Sequence, residues 1–294
     1  MFRVPSTMPP ARRRALTGGM TNNEEIVVLG GTGKTGRLVT RALRDAGHRV
    51  RPASRSGEVR FDWADESTWP AVLQGARALY LVAGPPGRNG LLARRAVDAG
   101  VRRLVALSGR GMEHCPPGSF PEMAEAERAV RESGVEWAII RANNFHQNFS
   151  QDYWRDPLRA GRLALPTAGV PEPFVDTRDI AEVAAALLTG DGLDGRAYDV
   201  SGPRAFPFGE AIRLIAEASG RRIDFVDLTP EEYVAELRAE GITGDELAEL
   251  VTTFEMLRAG HLAEPSDDVR RVLGREPIAF EDFVAEEAAR GTWS

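Results

Sequence analysis

Three equally spaced glycines lie between a strand-like and a helix-like segment near the start of the chain. Gly30, Gly33 and Gly36 form the pattern G-x-x-G-x-x-G after the β-branched run Ile26–Leu29 and before the helix-like run Leu38–Asp45. In this pattern the first glycine permits a tight turn, the second lets the backbone approach a pyrophosphate, and the third lets the helix pack close to the sheet. The context predicts a dinucleotide-binding turn. The residues expected to contact the dinucleotide here are Gly30, Thr32, Gly33, Lys34, Thr35 and Gly36.

A second phosphate-binding pattern overlaps the same turn. Gly33-Lys34-Thr35 matches the end of the P-loop pattern G-x-x-x-x-G-K-[ST]. That pattern requires a glycine five residues before Gly33, where this chain has Val28. The mismatch excludes a P-loop nucleotide triphosphatase and leaves a dinucleotide site, or a glycine-rich turn that binds nothing.

Strand-like and helix-like segments alternate from residue 25 to about residue 145. Strands separated by helical patterns of about 10–15 residues are typical of βαβ units in a mainly parallel sheet. The predicted fold class is therefore α/β, a Rossmann-type doubly wound, mainly parallel sheet with a smaller C-terminal α/β substrate lobe. We predict an NAD(P)-binding Rossmann domain over residues 23–150 and a mostly helical substrate-binding lobe over residues 151–294, interleaved with the first.

The end of the second predicted strand decides which dinucleotide fits. An NAD site usually has Asp or Glu there for the ribose hydroxyls, whereas an NADP site offers arginine to the 2′-phosphate. This chain has Ser54-Arg55-Ser56 at that point and no acid until Glu58. Ser54 and Arg55 are therefore predicted to bind the 2′-phosphate, with Arg51 as an additional candidate, and the predicted cofactor is NADP(H). The alternative is that Arg55 is an ordinary surface arginine.

The second half of the chain contains a loop and a helix with several acidic residues. We predict a loop over Thr167–Pro173 and a helix over Thr177–Leu188, with Thr177 or Asp179 as the cap. Asp176 and Asp179 could suggest metal ligands, but the four histidines lie far apart in sequence and none pairs at metal-site spacing. We therefore predict a helix cap and no metal.

Composition and charge exclude several classes of protein. The formal net charge is −6, which argues against binding to a nucleic-acid backbone. The single cysteine, Cys115, permits no intrachain disulfide, as expected in a reducing cytoplasm. An apolar run of about 18 residues, as a membrane span requires, is not present. We predict a cytoplasmic monomer or homodimer that acts on a small hydrophobic molecule.

The first 22 residues differ from the rest of the chain. They contain three consecutive arginines, residues 12–14, and no apolar periodicity. A twin-arginine export signal would need an apolar stretch after the arginines, which this segment lacks. We predict a disordered tail, or a start assigned too early, because Met20 precedes a segment with which Rossmann proteins usually begin.

Several segments together resemble one protein family. These segments are GGTGKTGR, ASRSG, FDWADESTW, ALYLVAGP, SGVEWAIIRANNFHQNF, PFVDTRDIAEVAAALL and DDVRRVLGREPIAFEDF. They span residues 25 to about 285 and resemble atypical short-chain dehydrogenase/reductases of the NmrA-like group, in particular the ergot-alkaloid-biosynthesis type that includes festuclavine synthase. The resemblance implies a Rossmann fold and an oxidoreductase. It does not fix the reaction, because bacterial members of this type are chemically diverse.

The resemblance also implies cofactor contacts after the third to sixth strands. One residue is expected near the adenine, a short segment near the adenosine or the nicotinamide ribose, and one residue near the nicotinamide. A last segment is expected to close over the nicotinamide and the substrate. Asp62 is the residue expected near the adenine, and Ser108 is the one expected near the nicotinamide. The segment expected near a ribose is Val82, Ala83 and Gly84, and the last segment is Asn143, Asn144 and Phe145.

The proton-donating pair of typical short-chain dehydrogenases is missing at the matching positions. Such enzymes carry Tyr-x-x-x-Lys. When the helix that contains Glu127 is matched to theirs, Ser119 falls at the tyrosine position and Met123 at the lysine position. Neither side chain is a good acid near neutral pH. An iminium needs hydride alone, whereas an enone or quinone also needs a proton, for which Tyr153, His114 and His146 are the candidates. Tyr153 and His114 are our predicted catalytic residues.

An aromatic cluster interleaved with amide side chains follows the sixth predicted strand. Phe145, Phe149, Tyr153 and Trp154 are predicted to line a pocket for a flat, hydrophobic substrate. Packing between the two lobes is the alternative.

Three functions agree with these observations. The first is an NADPH-dependent reductase of a small hydrophobic imine, iminium, enone or quinone in secondary metabolism, acting by hydride transfer without the usual Tyr-Lys pair. The second is a non-catalytic NADP(H)-sensing regulator of the NmrA-like group. The third is a non-redox cyclase or isomerase on the same fold.

Overall fold

The centre of the fold is a seven-stranded sheet with helices packed on both faces. The computed structural model describes residues 24–294, and the tail predicted over residues 1–22 lies outside the described residues. The strands within 24–294 are β1 (Glu25–Leu29), β2 (Arg49–Ser54), β3 (Val59–Arg60), β4 (Ala76–Val82), β5 (Arg103–Gly109), β6 (Glu136–Ala142), β7 (Arg162–Leu165), β8 (Arg196–Val200) and β9 (Asp224–Asp227). The large sheet has the order β3-β2-β1-β4-β5-β6-β8, and its pairings are parallel.

Helices alternate with these strands along the chain. The α-helices of the described part are α1 (Gly36–Asp45), α2 (Trp69–Leu73), α3 (Asn89–Asp98), α4 (Pro121–Arg131), α5 (Asn148–Gln151), α6 (Arg155–Ala160), α7 (Thr177–Thr189), α8 (Phe208–Ser219), α9 (Pro230–Ala239), α10 (Gly244–Arg258), α11 (Asp268–Leu273) and α12 (Phe280–Ala289). Within the described residues, none of them has the length and apolar content that a membrane crossing requires.

The strand order reverses at β1. The chain leaves β1 through β2 and β3, then crosses back to β4, β5 and β6 on the other side. In a doubly wound sheet this reversal opens a crevice at the carboxyl ends of the strands, where ligands bind. The prediction of an α/β, Rossmann-type, mainly parallel sheet is confirmed.

Both faces of the large sheet are covered, which explains why its central strands β1, β4 and β5 are mostly apolar. On one face, Val39 of α1 and Ile180 of α7 pack in one cluster with Ile26 of β1. On the other face, Trp69 of α2 and Leu92 of α3 belong to a second cluster. Although both lie beyond residue 150, β8 belongs to this sheet and α7 packs in its core.

A small sheet and a third core form the second lobe. β7 and β9 pair in parallel, and the surrounding core contains Phe174, Phe208 and residues of α9, α10 and α12. β7 is not predicted from the sequence, because four residues give too short a pattern and the partner strand lies far along the chain. Its inward residues, Leu163 and Leu165, are buried in this core.

The cap of α7 differs from the prediction. Asp176, rather than Thr177 or Asp179, caps the helix, because its Oδ1 accepts the Arg178 N–H at 2.8 Å. Thr177 is already helical, and its N–H donates to the Gln147 side chain at 2.9 Å. Asp179 lies buried in the first turn. The cap therefore lies one residue before Thr177, the first of the two predicted positions.

Candidate dinucleotide and substrate site

The turn after β1 is built on close backbone contacts that require glycine. Gly30 has a positive φ of 64°. A Cβ atom on Gly36 would lie 2.2 Å from the Gly30 carbonyl oxygen, and one on Gly31 would lie 2.6 Å from Pro52 Cβ. Gly30 therefore makes the turn and Gly36 lets α1 approach it. Gly31, which the pattern does not include, is needed because β2 lies directly behind the turn.

The same turn leaves N–H groups free to bind an anion. Among the described residues, the N–H groups of Thr32, Lys34 and Thr35 donate to no backbone acceptor. The ten-residue helix α1 begins at Gly36 without a side-chain cap. Free N–H groups at a helix N-terminus attract phosphate, so this cradle fits the pyrophosphate of a dinucleotide.

The Lys34 side chain joins the turn to the second lobe. Its ammonium forms an ion pair with Asp152 and donates to Asn148 Oδ1 at 3.2 Å. It also lies 5.5 Å from the centre of the Phe145 ring. Lys34, predicted as a phosphate contact, thus lies between the phosphate turn and the segment after β6.

Ser54 and Arg55 lie at the carboxyl end of β2, as predicted. Arg55 is exposed, and within residues 24–294 it has no acidic partner. The Ser54 hydroxyl is buried without a hydrogen-bond partner in the described part of the chain. Arg51 forms an ion pair with Glu25 and donates to the Val72 carbonyl at 2.8 Å. Contact of Ser54 and Arg55 with a 2′-phosphate stays a prediction, whereas Arg51 is occupied elsewhere.

The loop after β3 meets the end of β4 through an aromatic contact. A Cβ atom on Gly84 would lie 2.3 Å from the Trp63 ring, so glycine is required there. The buried Asn89 side chain holds Gly84 in place, accepting its N–H at 2.8 Å and donating to its carbonyl at 3.0 Å. Asp62 lies in the same loop, where its Oδ1 accepts the Ala64 N–H at 3.0 Å. Asn89 at the start of α3 was not among the predicted site residues.

A cavity of about 440 Å³ opens at the carboxyl ends of β4, β5 and β6. Its walls include the apolar side chains of Leu107, Met123, Met256 and Leu262. The predicted site residues that line it are Lys34, Val82, Ala83, Ser108, Asn143, Asn144, Phe145 and Tyr153. The ends of three neighbouring parallel strands thus bring together Val82, Ser108 and Asn143, as the parallel topology requires.

A second cavity of about 470 Å³ adjoins the first. The two share lining residues, among them Phe120, Met123 and Tyr153. Trp154, a predicted substrate residue, lines this second cavity and is otherwise packed in the core of the second lobe. Together the two cavities provide a largely apolar space beside the dinucleotide turn.

Of the residues predicted for substrate binding or catalysis, Phe149 and His114 line neither cavity. Phe149 is fully buried, with its ring centre 5.0 Å from that of Phe174 in the core of the second lobe. The prediction that it lines the pocket is wrong, because the helical turn α5 directs Phe149 into the core. His114 does not line the cavities either, and its ring stacks on His261 with centres 4.2 Å apart.

The three candidate proton donors predicted from the sequence, His114, His146 and Tyr153, therefore differ in burial and in access to the cavities. His146 is fully buried, and its Nε2 lies 2.9 Å from the Phe174 carbonyl oxygen. Tyr153 lies at the junction of the cavities and is 69% exposed. Partial burial raises the pKa of Tyr153, and the nearby carboxylates of Asp152 and Glu246 raise it further. Of the three, Tyr153 alone reaches the cavity, and it holds its proton more tightly than an ordinary tyrosine.

Glu172 lines the cavity although no sequence pattern indicated it. It lies in the predicted loop Thr167–Pro173 and is fully buried. Its Oε1 accepts from Asn143 Nδ2 at 2.9 Å and from the Asn144 N–H at 3.1 Å. Burial raises the pKa of Glu172 by more than these hydrogen bonds lower it. A loop carboxyl of this kind has no local signature, because its partners lie about 28 residues earlier in the chain.

Known proteins resemble this chain over most of its length. A family model described as NAD(P)H-binding matches residues 30–191, more than half of the chain. A (4-alkanoyl-5-oxo-2,5-dihydrofuran-3-yl)methyl phosphate reductase of Streptomyces griseus is 34% identical over 280 residues, which cover 90% of this chain and 98% of that protein. An agroclavine dehydrogenase of Claviceps fusiformis is 28% identical, covering 89% of this chain and 96% of that protein.

Solved structures share the fold at lower identity. The NADPH-dependent quinone oxidoreductase QOR2 of Escherichia coli, in complex with NADPH, superposes with a TM-score of 0.72 at 20% identity, over 90% of this chain and 99% of that one. The resemblance predicted from the sequence is confirmed, including the dehydrogenases of clavine alkaloids. The predictions of an oxidoreductase and of NADP(H) as cofactor are confirmed at the level of an NAD(P)H-dependent enzyme. The chain belongs to the NAD(P)H-binding family.

Proposed function

We propose that this protein is an NADPH-dependent reductase of a small hydrophobic imine, iminium, enone or quinone. The observation that carries the proposal is the apolar cavity at the carboxyl ends of β4, β5 and β6, next to the dinucleotide turn. In this fold the nicotinamide lies at those strand ends. NADPH supplies the hydride, and the cavity residues hold the acceptor against it and exclude water.

The sequence requires a mechanism without the Tyr-Lys pair. Lys34 is the single lysine of the chain, and the residue four positions before it is Gly30, so Tyr-x-x-x-Lys does not occur. Met123, which stands where typical short-chain dehydrogenases have the lysine, is an apolar residue in the wall of the cavity. Orientation and water exclusion then supply most of the catalysis for acceptors that are already activated, such as an iminium.

The lining residues fit a flat, apolar acceptor. Met112, Met123 and Met256 offer flexible and polarizable surface that adapts to an irregular molecule. Phe145 and Tyr153 supply aromatic surface on the side of the second lobe. We assign Val82, Ala83, Ser108, Asn143 and Asn144 to the nicotinamide side of the cavity. An alkaloid-like or quinone-like substrate of secondary metabolism agrees with this lining and with the names of the relatives.

The test is NADPH consumption by the purified protein with a panel of cyclic iminium ions, enones and quinones. We expect turnover of at least one class, and Met123→Trp, which fills the cavity, should reduce it at least about tenfold through lost substrate positioning. Arg213→Trp, which places the same ring on the exposed face of α8, is the matched control. Tight NADPH binding without consumption by any member of the panel, combined with NADPH-dependent binding of a partner protein, would favour the regulator.

Cofactor preference is expected to depend on Arg55. The protein should bind NADPH more tightly than NADH, and Arg55→Ala should weaken NADPH binding by about 1.5–3 kcal/mol, the value of a charge-assisted contact, with little change for NADH. Arg41→Ala is the matched control, since Arg41 is exposed on α1 beside Asp45. Fluorescence titration measures all four affinities. Equal affinity of the unmodified protein for the two cofactors would contradict the assignment of Ser54 and Arg55.

A further inference from the structure

The two oxygens of the Glu172 carboxyl group have different surroundings. Oε1 accepts three hydrogen bonds, from Asn143 Nδ2 at 2.9 Å, from the Asn144 N–H at 3.1 Å and from Asn144 Nδ2 at 3.4 Å. Oε2 is buried and has no hydrogen-bond partner among the described residues. An ionised carboxylate would share its charge over both oxygens and need donors on each. This arrangement instead matches a neutral acid with Oε1 as the carbonyl oxygen and the proton on Oε2.

The neighbours of Glu172 fix this arrangement. Arg110, at the end of β5, donates to Asn143 Oδ1 at 3.0 Å, so the Asn143 amide must direct its NH₂ group toward Glu172. Arg110 Nε in turn lies 3.5 Å from Asp199 of β8. The charge of Arg110 therefore faces a carboxylate as well as the Asn143 amide. Glu172 is held by neutral amides and is not in an ion pair among the described residues.

The free oxygen Oε2 is itself buried behind the surface of the cavity. Glu172 lines the same cavity as Ser108, Asn143 and Phe145, at the strand ends where an acceptor would lie against the nicotinamide. A buried polar atom without a partner is costly, and a substrate oxygen that displaces the cavity wall to reach Oε2 would satisfy it. The protonation state agrees, because burial raises the pKa of this carboxyl group.

We infer that Glu172 is the proton donor for neutral acceptors, a conclusion that rests on the proposed reductase function. A conjugated ketone gains a hydride at its β-carbon, which forms a C–H bond as the C=C electron pair moves toward the carbonyl group. The carbonyl oxygen takes the proton from Glu172 Oε2, and the O–H electron pair stays on the carboxylate. The products are NADP⁺, the enol and ionised Glu172, which regains a proton from solvent. A quinone becomes a hydroquinone in the same way.

The other candidates in the cavity fit this role less well. Tyr153 is 69% exposed, so water competes for its hydroxyl. Cys115 lines the cavity, but burial raises the pKa of its thiol, as does the nearby Glu113. The Cys115 Sγ–H is also directed to the Gly111 carbonyl at 3.6 Å. Glu172 is the carboxyl group of the cavity whose acidic oxygen is left without a partner within the described residues.

The test compares a neutral and a cationic acceptor with the NADPH-loaded enzyme. Glu172→Gln keeps the size and the Oε1 acceptor but removes the acid. This variant should lower the ratio of kcat for 1,4-naphthoquinone to kcat for an N-alkyl iminium, which needs no proton. The expected fall is roughly 100-fold or more, the rate factor that a positioned general acid usually contributes. In the unmodified enzyme, kcat for the quinone should fall as the pH rises through the raised pKa of Glu172. Equal losses for both acceptors would show a structural role and overturn the inference.

A measurement without turnover separates this inference from the proposed function. Infrared spectroscopy of the unmodified protein near neutral pH should show the carbonyl stretch of a protonated carboxyl group, and Glu172→Gln should remove it. Glu125→Gln is the matched control, since hydrogen bonds from the Gly87 and Gly90 N–H groups keep that carboxyl ionised against the effect of burial. Absence of the band in the unmodified protein would overturn the assignment of Glu172. Its presence without turnover of any acceptor would refute the reductase instead.

Discussion

Replacing Gly36 with alanine is expected to weaken cofactor binding strongly and to destabilise the fold. The new Cβ atom would lie 2.2 Å from the carbonyl oxygen and 2.7 Å from the carbonyl carbon of Gly30. Both are backbone atoms of the turn, so no side chain can rotate away. The N-terminus of α1 must then move off the turn, and the N–H groups that we assign to the pyrophosphate move with it.

The expected effects of Gly36→Ala are large. We expect the free energy of unfolding to fall on the order of 3 kcal/mol, the upper range for overpacking a well-packed interior. NADPH affinity should fall about 100-fold or more, because each lost hydrogen bond to a charged phosphate is worth about 1.5–3 kcal/mol. Urea denaturation and fluorescence titration measure the two quantities.

Gly90→Ala is the matched control for Gly36→Ala. Gly90 lies in α3, and an added Cβ atom would meet only side-chain atoms, at 3.6 Å and 3.7 Å. Alanine in a helix is favoured over glycine by about 0.5–1 kcal/mol, so this variant should be as stable as the unmodified protein or slightly more so. Gly36→Ala with unchanged affinity for NADPH would show that the turn does not bind the pyrophosphate.

Asp176→Ala is expected to lower the free energy of unfolding by about 3 kcal/mol. Asp176 is fully buried, caps α7 and also accepts from Arg178 Nη2 at 2.8 Å, and His146 Nδ1 lies 3.5 Å away. A lost cap costs about 1 kcal/mol, and lost hydrogen bonds to a charged group cost about 1.5–3 kcal/mol. Arg178 keeps its ion pair with Glu286, so it is not left as an isolated charge.

The effect of Asp176→Ala should depend on pH. Burial opposes ionisation of Asp176, but the His146 ring and the Arg178 guanidinium outweigh it and hold the pKa of this carboxyl far below its usual value. A carboxyl with a lowered pKa stabilises the folded state above the unfolded pKa of about 3.9, and this contribution is lost as the pH falls further. The stability difference between the two proteins should therefore be largest near neutral pH and shrink below about pH 4.

Urea denaturation at several pH values tests this prediction. The control is Asp45→Ala, because Asp45 forms an exposed ion pair with Arg41 at 3.5 Å, and such pairs contribute about 0–1 kcal/mol. A loss below about 1 kcal/mol for Asp176→Ala near pH 7 would mean that α7 does not depend on its buried cap.

The main features of the fold could be predicted from local patterns in the sequence. The strand and helix periodicities of the first half, together with the glycine turn, specify the order of β1, α1 and β2 and hence the Rossmann sheet. Residues that follow the strands, such as Ser108 and Asn143, could be placed at the cavity because parallel strands end at the same edge. This reasoning needs only the sequence position of each strand end.

Features that depend on distant partners could not be predicted in the same way. β7 exists because β9 pairs with it, and Glu172 belongs to the cavity because Asn143 and Asn144 hold it there. Phe149 and Tyr153 carry the same aromatic signal, but the first is buried and the second is exposed. Which aromatic residue faces the cavity is decided by how α5 and the following segment pack on the second lobe, which composition does not reveal.

β8 lies in the large sheet and α7 covers one of its faces, which has a consequence for how the protein folds. A fragment that ends at residue 150 would lack β8, and β6 would become an unprotected sheet edge, a known site of aggregation. It would also lack α7, whose Ile180, Val183 and Leu187 cover one face of that sheet. Residues 23–150 alone lack a strand and a helix that complete their sheet and core, so we expect a fragment of this half not to fold by itself. A gene fragment designed to express this half by itself would have to carry the segment through β8.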